Sequence, residues 1–170
     1  MDRAIGCADA HMQPTPQSLN GECTMNATEE NRALSTAVFI MVMLNGLFLS
    51  ANGLFMLIAP AVWYEFLPGV TDTGPFNQHF IRDIGIINLF LAVAFGIGLI
   101  RQELRVALWA AATAWLGAHA VFHLWEVAVG ICSPSVIPRD FPAVHLPAII
   151  GVALTICAIR NAHAARPATA

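Results

Sequence analysis

The sequence predicts an all-α protein: a bundle of four transmembrane helices with both termini in the cytoplasm. Three observations predict it. Hydrophobic residues make up 57% of the chain and charged residues 11%, where ordinary soluble domains carry about 45–50% and about 25%. The apolar residues are gathered into four long blocks, each reaching the roughly 20 residues that a helix needs to cross about 30 Å of hydrocarbon. Arginine supplies every basic side chain, because the chain has no lysine, and it clusters in alternate links between those blocks.

Residues 1–32 are polar, rich in turn formers and without apolar periodicity, which predicts a disordered tail. Met25 within it offers an alternative start of translation, and the long, late apolar run that follows is unlike a secretory signal. The first helix is predicted over 33–59. Gly46, Ser50 and Gly53 give it a small-residue face for close helix approach, and Pro60 ends it. In the link over 60–78, Trp63, Tyr64 and Phe66 suit the headgroup interface. The second helix is predicted over 79–100 and the third over 104–131, joined by "RQELR", in which Glu103 is a surface charge. On the third, Ala110, Ala114 and Ala118 recur at four-residue spacing for helix packing, and Trp109 and Trp115 are expected to pack as well. Trp125 belongs at the outer interface. The proline-rich link "CSPSVIPRDFPA" reads as short and irregular, and the fourth helix is predicted over 142–160, with 161–170 a tail.

Positive residues stay on the cytoplasmic side of a membrane. Arg32, Arg101, Arg105, Arg160 and Arg166 then mark that side, and the links over 60–78 and 132–141, which hold only Arg139, lie outside. In this topology no two of Cys7, Cys23, Cys132 and Cys157 share the outer, oxidising face, so no disulfide within the chain is expected. The net charge of −3 with no basic patch argues against a nucleic-acid partner.

The ionisable residues inside the blocks carry the functional signal, since such groups normally face a bundle interior or a wet cavity. Counting 1.5 Å per residue, Arg82 and Asp83 fall roughly 5–7 Å below the outer mouth of the second helix, where His79 sits. On the third, Glu126, His123 and His119 fall about 7, 12 and 18 Å below its outer end. His145 falls within roughly 5 Å of the surface on the fourth. His79 and Asp83 are i and i+4, and His119, His123 and Glu126 are i, i+4 and i+7, so each set shares a helix face. Histidines and carboxylates brought together by facing helices form metal centres in helical bundles.

His79, Asp83, His119, His123, Glu126 and His145 are therefore candidate ligands of a non-haem ion: iron, zinc, manganese or copper. His119, the deepest, is equally suited to support a ligand or relay a proton. Arg82 beside them, with Glu126, is a candidate catalytic group that orients a small anionic substrate or balances charge. Haem on a histidine ranks below a non-haem metal because of the two carboxylates. Two further readings use the same residues: a pocket for a substrate or a quinone, and a structural network in which Arg82 pairs with Asp83 or Glu126 and the histidines bond to backbone, Asn52 or Asn88.

The segment "NGLFMLIAPAVWYEFLPGV" followed by "HFIRDIGIINLFLAVAFGIGL" resembles the first half of small DoxX-like four-helix membrane proteins. The likeness covers about residues 43–100, and Arg82, Ile84 and Gly85 carry its "R-x-I-G" step. It implies a multi-pass protein of the bacterial inner membrane, in a family some of whose members are associated with sulfur or quinone redox chemistry or oxidative defence. Neither "HAVFHLWE" nor Asp83 belongs to that outline. The functional expectation is a metal-binding membrane protein acting as an oxidoreductase. Its alternative is a non-enzymatic accessory subunit whose polar cluster is structural or docks other membrane subunits or a second copy.

Overall fold

The structure, a computed structural model, describes the backbone from Pro16 to Ala164 and the side chains from Ser35 to Ala164. Predictions about Cys7, the side chains of Cys23 and Arg32, and residues 165–170 lie outside what the structure describes. The chain divides into two units, residues 1–37 and 38–170. Among the described residues, four helices are long and apolar enough to cross a membrane: Ser35–Ile58, Gln78–Ile100, Gln102–Ala128 and Val136–Ala164. The four predicted spans are thus all present, with ends that differ for local reasons.

Helix α1 runs from Pro16 to Ile58, so it is already helical over 16–32, where the sequence predicts an irregular tail. After Pro16 that stretch contains no proline and a single glycine, Gly21, which leaves little to interrupt a helix. Pro60 ends α1 as predicted and becomes the first residue of a short α2, Pro60–Phe66, where its missing N–H costs nothing. A 3₁₀ turn, Val70–Asp72, follows. Helix α3, Gln78–Ile100, is started by Asn77, whose side chain accepts from the Phe80 N–H at 3.1 Å.

Only Arg101 separates α3 from α4, Gln102–Ala128. Arg105 closes this turn: its Nε donates to the Gly98 carbonyl at 2.8 Å and Nη2 to Leu99 at 3.1 Å. A cation thereby caps the carbonyl end of α3, where the helix dipole favours it. Helix α4 stops at Ala128 rather than continuing to the predicted 131. Gly130 adopts φ 78°, and the Ile131 N–H donates to Glu126 and the Gly130 N–H to Val127, at 2.9 and 3.1 Å. This is a Schellman cap, which glycine permits.

The proline-rich link departs most from expectation. Val136–Asp140 form a helix, α5, because Pro138 falls in the first turn, where backbone N–H groups have no acceptor anyway. A single π turn, Phe141–His145, joins it to α6, Leu146–Ala164. Pro147 cannot donate to the Ala143 carbonyl, and its ring crowds that carbonyl in a regular α-helix. The wider turn, closed by Leu146 N–H to the Phe141 carbonyl, relieves that conflict.

In the unit from Val38 onward, α1 meets α3 through glycines: a Cβ on Gly53 would lie 2.7 Å from the Gly85 carbonyl oxygen. Helix α4 packs against both α3 and α6, and Asn45 on α1 reaches the Pro147 carbonyl of α6 at 3.3 Å. The core contains Phe95, Trp109 and Leu154, all fully buried. Trp109 packs as predicted, with Nε1 donating to the Phe95 carbonyl at 3.1 Å. Trp115 does not; it is exposed. Of the small residues assigned to packing, Gly53 is in a helix contact, Gly46 meets nothing within 4 Å, and Ala114 and Ala118 are exposed.

Candidate functional site

The two early boundaries just described reset the depth count. With α4 ending at Ala128, His123 lies about 8 Å and His119 about 14 Å from its end. With the last span starting at Val136, His145 is about 14 Å in, not 5 Å. Helix α5 thus sets His145 about as far from its end of the span as His119 is from the end of α4.

Three histidines gather where α4 faces the π turn. The rings of His119 and His123, one turn apart on α4, meet edge to face at 4.7 Å between centroids. His123 Nδ1 lies 3.1 Å from Asp140 Oδ2. The carboxylate can only accept, so Nδ1 carries the proton and, in the neutral ring, Nε2 keeps its lone pair. His145 stacks flat on Phe141, with ring planes 7° apart. Both of its ring nitrogens are buried without a hydrogen-bond partner. His119 lies within electrostatic reach of His123, His145 and Asp140.

Asp140 is the residue that sequence reasoning missed. It is 14% exposed at its side chain and accepts from two sides, from His123 and, through Oδ1, from Arg139 Nε at 2.9 Å. Arg139 also reaches Asp72 in the other loop, Nη1 to Oδ2 3.6 Å, and its guanidinium lies directly over Gly69. Gly69 has φ 82°, a conformation that disfavours any residue with a side chain, and a side chain there would displace the Arg139 guanidinium. The clamp of Asp72, Arg139 and Asp140 leaves one net negative charge beside the histidines, a balance that suits a bound cation. The available signal was the Asp-Phe-Pro step of "RDFPAVH", five residues before His145. Reading the link as irregular hid it.

His79 and Asp83, also predicted as ligands, do not join this group. His79 and Asp83 pair with each other, Nε2 to Oδ2 3.3 Å, with side chains 90% and 52% exposed. They lie on the α3 face that also exposes Ile86 and Phe90, opposite the buried Ile81, Gly85, Asn88 and Ala92. Arg82 donates from Nε to the Leu57 carbonyl at the end of α1, 3.2 Å. Asn52 accepts from Trp63 Nε1 at 2.9 Å, and Asn88 Nδ2 lies 3.6 Å from the Met56 sulfur; neither touches a histidine in these bonds. Glu126 is half-buried, and its carbonyl serves the Schellman cap. Among the described residues no three His, Cys, Asp or Glu side chains converge into a group ready to hold a metal ion. His79, Asp83 and Arg82 are therefore directed away from the histidines that α4 and the π turn bring together.

No family model, curated protein or solved structure matches this chain.

Proposed function

We propose that this multi-pass membrane protein binds a transition-metal cation through the imidazoles of His123 and His145, with His119 beside them and Asp140 orienting His123. The observation that carries the reading is His145. A buried imidazole with neither nitrogen bonded costs about 1–3 kcal/mol per unsatisfied group, and such a group calls for a ligand. The carboxylate on Nδ1 of His123 is the arrangement that fixes the tautomer and raises the basicity of a metal-ligating histidine. Imidazole donors suit zinc, copper and iron better than manganese. The rings are not closed around a centre, so binding requires ring rotation.

Arginine placement supports an outer location for the clamp and cytoplasmic termini. The DoxX-like outline supports a bacterial inner membrane, and its "R-x-I-G" step has a structural use here, with Arg82 capping α1 and Gly85 against Gly53. A second reading, a structural network, is favoured by the way Arg139 ties the two loops together.

Titration of the nanodisc-embedded protein with Co(II), followed by its ligand-field spectrum, and with Zn(II), followed by metal analysis, separates the two readings. One ion per chain is expected, with at least about tenfold weaker binding in His123→Ala and in His145→Ala and unchanged binding in His79→Ala. Absence of stoichiometric metal, or equal affinity in all three variants, overturns the metal reading.

A further inference from the structure

Helix α4 has two faces of different character. Trp109, Ala112, Leu116 and Ala120 are buried within the bundle. Ala111, Ala114, Trp115, Ala118, His119 and Phe122 are exposed on the other side. An ionisable side chain with one flank turned out of the bundle, about 14 Å from the helix end, is out of place against hydrocarbon, which offers it no hydrogen bond.

The surface there is also shaped. Trp115, Ala118, His119 and Phe122 line a notch of ≈ 220 Å³. All four belong to one helix, so the notch is a hole between side chains over Ala118, of the kind that receives a side chain from a second helix. Phe122 is stacked on Trp125, centroids 5.7 Å apart, which holds one wall in place. Small residues in the same band allow backbones to approach closely in lipid.

We propose that this face of α4 is the contact between two copies of the chain, with Ala111, Ala114 and Ala118 at the seam and each His119 hydrogen-bonded to its counterpart. Copies of one chain insert in the same orientation, so a two-fold axis along the membrane normal sets equal depths side by side. His119 then meets His119. A neutral imidazole has one donor and one acceptor, so a second copy supplies its complement, whereas lipid supplies neither. The face carries its own hole, over Ala118, and its own exposed large side chains, Trp115 and Phe122, as a self-complementary contact requires. This inference does not rest on the metal reading.

The test uses single cysteines in a full-length chain whose four native cysteines are replaced by serine or alanine, reconstituted in liposomes at high lipid-to-protein ratio. Ala114→Cys and Ala118→Cys are compared with Phe90→Cys on α3 and Val152→Cys on α6, both also exposed. Oxidative cross-linking to twice 18.2 kDa is expected at 114 and 118 at least about tenfold faster than at 90 or 152. His119→Leu should weaken dimerisation about threefold, the typical worth of one interhelical hydrogen bond, and Ala118→Leu should weaken it more, with helicity unchanged by circular dichroism. Cross-linking at equal rates on all three helices, cross-linking confined to α3 or α6, or single-step photobleaching of the unmodified labelled chain, which would leave the notch to lipid, each overturns the proposal.

Discussion

The α1–α3 seam and the α4–α6 seam are built from opposite materials. In the first, Gly53 and Gly85 set backbone against backbone. In the second, side chains meet: Thr113 and Thr155 hydroxyls lie 3.0 Å apart, and Asp140 and His145 precede α6 on the side facing His123. Both regions received ionisable residues at comparable depth. The glycine seam has no interior to offer them, so Arg82 turns to a carbonyl at the end of α1 while His79 and Asp83 stay on the outward face of α3. The other seam holds its polar groups inside. Depth along a helix therefore does not decide whether a polar residue joins a site; what occupies the neighbouring seam does.

That contrast can be broken at several points. The largest effect is expected at the glycine seam. Gly85→Leu forces a side chain into the Gly53 carbonyl and Met56 and should cost about 1–3 kcal/mol or more of stability, read by denaturant titration in mixed micelles. Tolerance equal to that of Phe90→Leu would remove the claim of backbone contact. Next comes the histidine seam. Asp140→Asn keeps the shape but loses the charge that orients His123, and metal affinity should fall about 10–100-fold. A fall in stability with no metal bound by the parent protein would favour the structural network instead.

A smaller change is expected from Thr113→Val, which removes one interhelical hydrogen bond worth on average about 0.6 kcal/mol. The same titration should detect it as a small shift of midpoint. Smallest of all is His79→Gln: it breaks only an exposed pair, and both melting temperature and metal affinity should stay within error of the parent. A clear loss of metal there would mean that the two seams share one site after all.

The four spans were legible because they rest on length and composition, which tertiary packing does not alter. Pro60 and Trp109 were legible for similar local reasons. The site was half legible. His119 and His123 share a helix face by periodicity alone, and the structure keeps them together. Asp140 was hidden because three prolines made its segment read as irregular, whereas one of them, Pro138, sits in the first turn of a helix, and the π turn that follows answers to Pro147 beyond that segment. That Asp83 and His79 face away from the other histidines was not legible, because linear counting fixes height but not the direction a side chain faces. Gly130 carried the correct end of α4 in plain view, as a left-handed cap.

The π turn at Phe141–His145 has a consequence for insertions and deletions. It amounts to one residue more than a regular helix would hold between Asp140 and α6. Deleting Ala143, and with it the widened turn, should restore ordinary winding and leave both flanks in register, whereas ordinary winding of the unchanged number of residues, as Pro147→Ala allows, should rotate everything before the turn by about 100° about the helix axis. Arg139 and Asp140 would swing away from Gly69 and His123 together. The extra residue works as a phase shifter, and the alignment of the whole clamp with α4 depends on that single count.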